Sequence, residues 1–324
     1  MHQGCLMMLR YYNISLRDLY LKFLSSNNYA YFWFFLCYNS KLFFKIDSST
    51  VIFITYKKET KGMIIIGEKI SVIAKKVREA MNSRDPKPVQ ELAEAQWKAG
   101  ANFIDVNIGP AEENGEDLMK WMVESIQEKV HSPLCLDTTN AAALEAGLKA
   151  HNNEWGRPLI NSTSNEPDRF VMLEMAAKHN ALCIALTLGK GSLPADAEER
   201  CGIAAEIMAR AAEFGVPMED LFLDPLILQV CTMQDQAQHA IKAVKMFQEL
   251  NDPPMKTVVG LSNVSNGVPK EMRSLIDRVY LTLLMYEGLS AAIMNPLDKE
   301  LMDVLKTTDV FLGNTLYAHS YLDM

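Results

Sequence analysis

From Met63 onward, short apolar runs alternate with longer stretches in which apolar positions recur every three or four residues. The first pattern is that of strands covered on both faces and the second that of amphipathic helices, so this part of the chain predicts βα units around a parallel sheet. The strand-like runs are 63–66, followed by Gly67-Glu68; 102–108, carrying Asp105 and Asn107; 134–140, LCLDTTN; 159–164, LINSTS; 181–188, with Thr187; 221–225, LFLDP; 257–263, ending in Asn263; and 289–295, ending in Asn295. Helical periodicity covers 72–82, 88–99, 113–129, 141–150, 167–179, 195–214, 234–250 and 269–286, and begins again at 296–306. Pro86, Pro88 and Pro133 mark element starts and Gly215 a helix stop. The count favours a (β/α)8 barrel. An open doubly wound sheet is the alternative, because periodicity does not show closure; no GxGxxG or Walker loop supports a nucleotide fold.

In a barrel of this kind the carboxyl ends of the strands surround one pocket. Those ends supply Glu68, Asp105, Asn107, Asp137, Asn161, Thr187, Asp224, Asn263 and Asn295. Any one Asp or Asn after a strand is more often a turn residue or helix cap, and Asn140 is read that way. Repetition along the chain is what points to a common site. The set is rich in carboxylates and amides and poor in Lys, Arg, His and Cys. Carboxylate accepts from N–H groups and carboxamide both donates and accepts, which suits a heterocycle with an amino-pyrimidine edge. No Ser–His or Cys–His pairing supports covalent catalysis.

Net charge is −8 over 324 residues, unevenly spread. Residues 1–62 hold eight Lys/Arg and three Asp/Glu, leaving −13 on the remainder. An acidic body argues against a nucleic-acid partner. The six cysteines form no CxxC pair, and Cys135 and Cys183 lie in apolar runs, which predicts a reduced, cytoplasmic setting. The histidines show no HxxxH spacing, so no protein-bound metal is expected. Residues 1–62 differ in character, with 15 of the 28 aromatic residues. Tyr29–Tyr38, YAYFWFFLCY, is too short to span a bilayer, which takes about 20 apolar residues, so no membrane association is expected. Phe, Tyr, Ile, Asn and Lys, whose codons are AT-rich, make up 28 of these 62 residues and 57 of the other 262. The expectation is that residues 1–62 are a translated, disordered leader and that Met63 is the true start.

Taken in order, IIIGEKI, FIDVNIGPA, LCLDTTN, LINSTS, LFLDPLIL and VVGLSNVS resemble the methyltetrahydrofolate:corrinoid protein methyltransferases. These are pterin-binding barrels related to the folate domain of cobalamin-dependent methionine synthase. The resemblance covers about 63–321. It implies that Asp137, Asn161 and Asp224 hold the pterin ring, that Asp105, Asn107 and Glu68 belong to the same pocket, and that Asn263 is the catalytic residue beside N5 of the folate. It also implies methyltetrahydrofolate or tetrahydrofolate as substrate, a corrinoid (cobalamin) carried by a partner protein, and a homodimer. The chain has no DxHxxG corrinoid motif. Two departures stand out, a polar insertion at Asn152–Arg157 and the NGVPKEMR stretch before Arg273. A solvated Arg273 is expected, with contact to a folate glutamate tail as the alternative. Dihydropteroate synthase is the runner-up within the fold, disfavoured because NIGPA stands where that family has an arginine-bearing STRPG-type loop. A non-catalytic subunit binding a pterin or corrinoid protein is the other alternative.

Overall fold

In the computed structural model, residues 33–37, 41–45, 51–55, 62–189 and 191–323 are described. The chain divides between Thr60 and Lys61 into two units. In the first, β1 (Trp33–Cys37), β2 (Lys41–Lys45) and β3 (Val51–Thr55) form an antiparallel sheet in the order β1-β2-β3. The rest of the expected leader lies outside the described residues.

The second unit is a closed parallel barrel in the order β10-β11-β4-β5-β6-β7-β8-β9, so the (β/α)8 expectation holds and the open sheet does not. Its strands are β4 (Ile64–Ser71), β5 (Phe103–Asn107), β6 (Leu134–Asp137), β7 (Leu159–Ser164), β8 (Leu182–Leu186), β9 (Leu221–Asp224), β10 (Lys256–Gly260) and β11 (Ala291–Met294). The helices are α1 (Lys75–Ser83), α2 (Lys87–Lys98), α3 (Gly115–Gln127), α4 (Ala141–Ala150), α5 (Val171–His179), α6 (Ala197–Glu213), α7 (Gln234–Gln248), α8 (Lys270–Tyr286) and α9 (Lys299–Phe311).

Two apolar layers hold it together. One residue from each strand (Ile66, Phe103, Cys135, Leu159, Ile184, Phe222, Val258 and Ala291) fills the barrel interior. Residues on the opposite pleat, such as Ile104, Leu136, Ile160, Ala185 and Leu223, pack outward against the helices. Strand side chains alternate between faces, so the interior layer fixes the orientation of everything two residues further on.

Three boundaries depart from expectation. β4 runs on past Gly67-Glu68 to Ser71, with a register shift between Gly67 and Ile70. Residues 261–263 leave β10 for a 3-10 turn, so Asn263 follows the strand instead of ending it. Pro167–Arg169 is likewise a 3-10 turn before α5. The polar insertion precedes β7 and therefore lies at the end of the barrel opposite the carboxyl rim. There Arg157 donates to both Asp220 oxygens at 2.8 and 2.5 Å, and Trp155 stacks on His131 with centroids 4.4 Å apart.

Candidate functional site

Counting two residues on from the interior layer, toward the carboxyl rim, the inward positions are Asp105 on β5, Asp137 on β6, Asn161 on β7 and Asp224 on β9. Asn107 lies one further step up β5. In register, Asn107 is level with Asp137, and Asp137 with Asn161. The expected acids and amides therefore form a polar storey directly above an apolar floor.

Within that storey the amides are committed to carboxyls. Asn107 donates through Nδ2 to Asp137 Oδ2, while its Oδ1 accepts from Gly109 N at 3.0 Å. Gly109 has φ of 67°, a conformation glycine adopts without strain, and its carbonyl accepts from Thr138 Oγ1 at 2.7 Å. Asn161 Nδ2 donates to Asp105 Oδ1 at 3.3 Å. Since β6 separates β5 from β7, that bond crosses the lumen. β7 carries a register shift between Ile160 and Thr163, and such bulges re-aim side chains next to sites.

Burial raises all three carboxyls. Desolvation pushes the Asp105 carboxyl well above the usual range, reinforced by the neighbouring charge of Asp137. Asp137 is raised to about 6, again by burial, with the Asn107 hydrogen bond and the Arg169 charge pulling the other way. Asp224 is raised to about 7 by burial, opposed by a hydrogen bond from the Leu226 N–H. The floor residue Cys135 is fully buried and its thiol is pushed up by burial first and the Asp105 charge next, so it is no nucleophile.

Asp224 owes its pose to the turn after β9. Leu226 N donates to Asp224 Oδ1 at 2.8 Å, and Leu226 takes a φ of 60° that a branched side chain rarely tolerates. The buried Arg200 of α6 holds that turn, donating from Nε to Pro225 O at 2.6 Å and from Nη2 to Gln236 Oε1 at 2.9 Å.

The remaining expected residues sort differently. Glu68 sits in the β4 register shift, where Gly67 is packed so closely on Gln96 that a Cβ would lie 2.6 Å from its Oε1. Glu68 Oε2 accepts from Ser262 Oγ at 2.8 Å, and burial raises its carboxyl. Ser262 precedes Asn263, which is exposed on the 3-10 turn. A Cβ on Gly260 would meet Asn263 Nδ2 at 2.9 Å, so the glycine leaves room for that amide at the end of β10. Thr187 departs from expectation: it lies on the outward pleat, buried, and donates to the Asp224 carbonyl at 2.8 Å. Asn295 accepts from Leu297 N at 3.2 Å in its own turn. Asn140 caps α4 as expected, accepting from Ala142 N and Ala143 N. Arg273 is exposed, with Nε on the Val268 carbonyl at 2.7 Å.

Sequence pattern did not single out Arg169, Arg200 or Ser262. Arg169 ties the loops behind Asp137 and Asn161, donating to Thr139 O at 3.1 Å and Ser162 O at 2.6 Å. An arginine inside an apolar helix face was the one available signal for Arg200; the other two gave none. Among the described residues no cluster of three or more His, Cys, Asp or Glu is arranged to hold a metal ion, and no helix is long and apolar enough to cross a membrane.

The pterin binding enzyme family matches residues 74–295. The chain belongs to that family. A methylcorrinoid:tetrahydrofolate methyltransferase of Eubacterium limosum is 29% identical over 262 residues, which span 80% of this chain and 94% of that protein. Methionine synthases of Mycobacterium leprae and Mycobacterium tuberculosis are each 28% identical over 245 residues, 72% of this chain but only 20% of theirs. Two solved structures share the fold at 17% identity. A Yersinia pestis DHPS with a pterine-sulfa conjugate has a TM-score of 0.59, covering 82% of this chain and 98% of that one. Thermus thermophilus dihydropteroate synthase has a TM-score of 0.56, covering 78% and 95%.

Proposed function

We propose that the protein is a methyltransferase that moves a methyl group between N5 of methyltetrahydrofolate and the cobalt of a corrinoid carried by a separate protein, and that it works as a homodimer. The observation that carries this reading is the storey of Asp105, Asn107, Asp137, Asn161 and Asp224 over an apolar floor, with Asn263 exposed on the turn that follows β10. The name of the Eubacterium limosum relative supports the reaction.

In this reading Asp137, Asn161 and Asp224 take the N–H and carbonyl edge of the pterin, and Asp105 and Asn107 keep them oriented. Glu68, through Ser262, fixes the turn that presents Asn263. A methyl on a tertiary amine leaves only when positive charge on N5 is stabilised. A proton taken up at N5 from water supplies that charge, and the N5–C bond then breaks with its electron pair staying on nitrogen, leaving tetrahydrofolate with N5–H. Asn263 supplies the polar contact at N5 that strengthens as this happens. A corrinoid in the cobalt(I) state supplies the electron pair for the new bond when its carrier docks at the rim.

The test is to mix the protein with methyltetrahydrofolate and reduced cob(I)alamin and follow the spectrum. Formation of methylcob(III)alamin supports the reading. Its absence, together with condensation of a pterin pyrophosphate with p-aminobenzoate, replaces it with a dihydropteroate synthase activity. Pterin binding without either reaction, even with corrinoid proteins supplied, leaves a binding subunit.

A further inference from the structure

Two of the strand ends that bear the polar storey are joined by one side chain from outside it. Arg169 closes the 3-10 turn that follows β7. Its Nη1 donates to Thr139 O at 3.1 Å, two residues after Asp137, and its Nη2 donates to Ser162 O at 2.6 Å, one residue after Asn161. The main chain of Arg169 is fixed as well: its N–H donates to Glu166 O at 2.9 Å, and its carbonyl accepts from the buried Thr163 Oγ1 at 3.0 Å. Asp137 and Asn161 stand level on adjacent strands. A guanidinium is a planar fork with its donors at a fixed separation, so it sets the spacing of the two carbonyls it holds and of the side chains next to them.

A neutral amide could bridge two carbonyls, but Arg169 also brings a charge. Among the described residues it forms no salt bridge, so no acid in contact cancels that charge. The titratable groups around Asp137 are Asp105 on β5, Cys135 on its own strand, and Glu68, whose charge acts on Asp105. Each of these is neutral or negative. Arg169 is the cation whose charge opposes the effect of burial on Asp137, and it reaches Cys183 on β8 in the same way. Charges act over such distances where little water screens them.

We propose that Arg169 is a positioning residue for pterin capture: its fork holds the turn after β6 to the end of β7, so that Asp137 and Asn161 meet one ring edge together, and its charge keeps Asp137 in the anionic form that accepts N–H groups. This deepens the pterin reading above and rests on it.

The test compares the full chain with Arg169→Met, which loses fork and charge, and Arg169→Lys, which keeps only the charge. Carbon-13 NMR of labelled aspartate carboxyls gives the titration midpoints of the ligand-free protein, with Asp137→Asn assigning the Asp137 signal. Arg169→Met is expected to raise the Asp137 midpoint by about half a unit and to leave that of Asp224 in place. A general loosening of the fold would move both. Calorimetry with methyltetrahydrofolate is expected to show binding weakened about tenfold at pH 5.5 and about fourfold at pH 8, where Asp137 is ionised in either protein. Arg169→Lys is expected to keep the parental midpoint and to bind about fourfold more weakly at both pH values. An Asp137 midpoint unmoved by Arg169→Met, or parental affinity in that variant, overturns the assignment. If Arg169→Met does not fold, Arg169→Lys decides, because parental affinity there removes the fork's role. A parent protein that binds no methyltetrahydrofolate at any pH overturns the pterin reading itself, and with it this role for Arg169.

Discussion

At the scale of single residues, the proposed reaction gives Asn263 an effect on the barrier and gives Asp137, Asn161 and Asp224 the holding of the ring, and variants tell the two roles apart. Asn263→Ala is expected to lower kcat by more than it raises the dissociation constant for methyltetrahydrofolate, because its contact strengthens as charge shifts at N5. Stopped-flow methyl transfer beside equilibrium titration measures the split, and equal losses in both would remove its catalytic role. Asp137 and Asp224 set a pH dependence. Their carboxyls sit at about 6 and about 7 in the free protein, and accepting pterin N–H groups needs them ionised. Affinity is therefore expected to rise on the order of tenfold or more between pH 5.5 and pH 8, with proton release on binding. Calorimetry in buffers of different ionisation enthalpy detects that release; a flat profile would place the pterin's N–H edge elsewhere. The same elevation costs stability. A carboxyl raised in the fold favours the native state below its unfolded pKa and loses that contribution as pH climbs through the folded value. Asp224→Asn, which cannot ionise, is expected to gain thermal stability over the parent above about pH 7 while losing pterin affinity, and a melting series across pH reads both signs.

At the scale of elements, the pleat explains both what was legible in the sequence and what was not. In LCLDTTN and LFLDP the inward carboxyl is legible because alternation is local: once Cys135 and Phe222 fill the lumen, Asp137 and Asp224 must face it one step higher. Thr187 failed the same reading because it stands three residues beyond Ile184, an odd step that turns it outward. The register shifts that aim Glu68 and Asn161 come from pairing between strands distant in sequence, and no local pattern announces them. Arg200 belongs to this scale as well. Its guanidinium holds the carbonyls of a turn whose Leu226 is in a left-handed conformation, and Asp224 depends on that turn. Arg200→Met is expected to destabilise the fold by about 2–4 kcal/mol, since it strips buried carbonyls of their donor, and to weaken pterin binding through Asp224 although it lies outside the lumen. Denaturant titration and a folate dissociation constant test the two effects, and a stable variant with parental affinity would show that the turn holds itself.

For the whole molecule, the decisive fact is where the ring of strands closes. β4 pairs with β5 on one side and β11 on the other, and the first residue in that ring is Ile64. Met63 is buried, and its backbone N–H reaches the Asp309 carboxyl of α9. Every strand of the barrel and every residue of the polar storey therefore lies at or beyond position 64. A chain beginning at Met63 is expected to melt within a few degrees of the full chain, the shift that a loss of about 1 kcal/mol produces in a domain of this size, and to bind methyltetrahydrofolate equally well. A chain beginning at Glu68 loses all four β4 residues that pair with β11 and so opens the ring, and it is expected not to fold cooperatively. A Met63 form melting more than about 10 °C lower would overturn this and show that residues before Met63 contribute to the stability of the barrel unit.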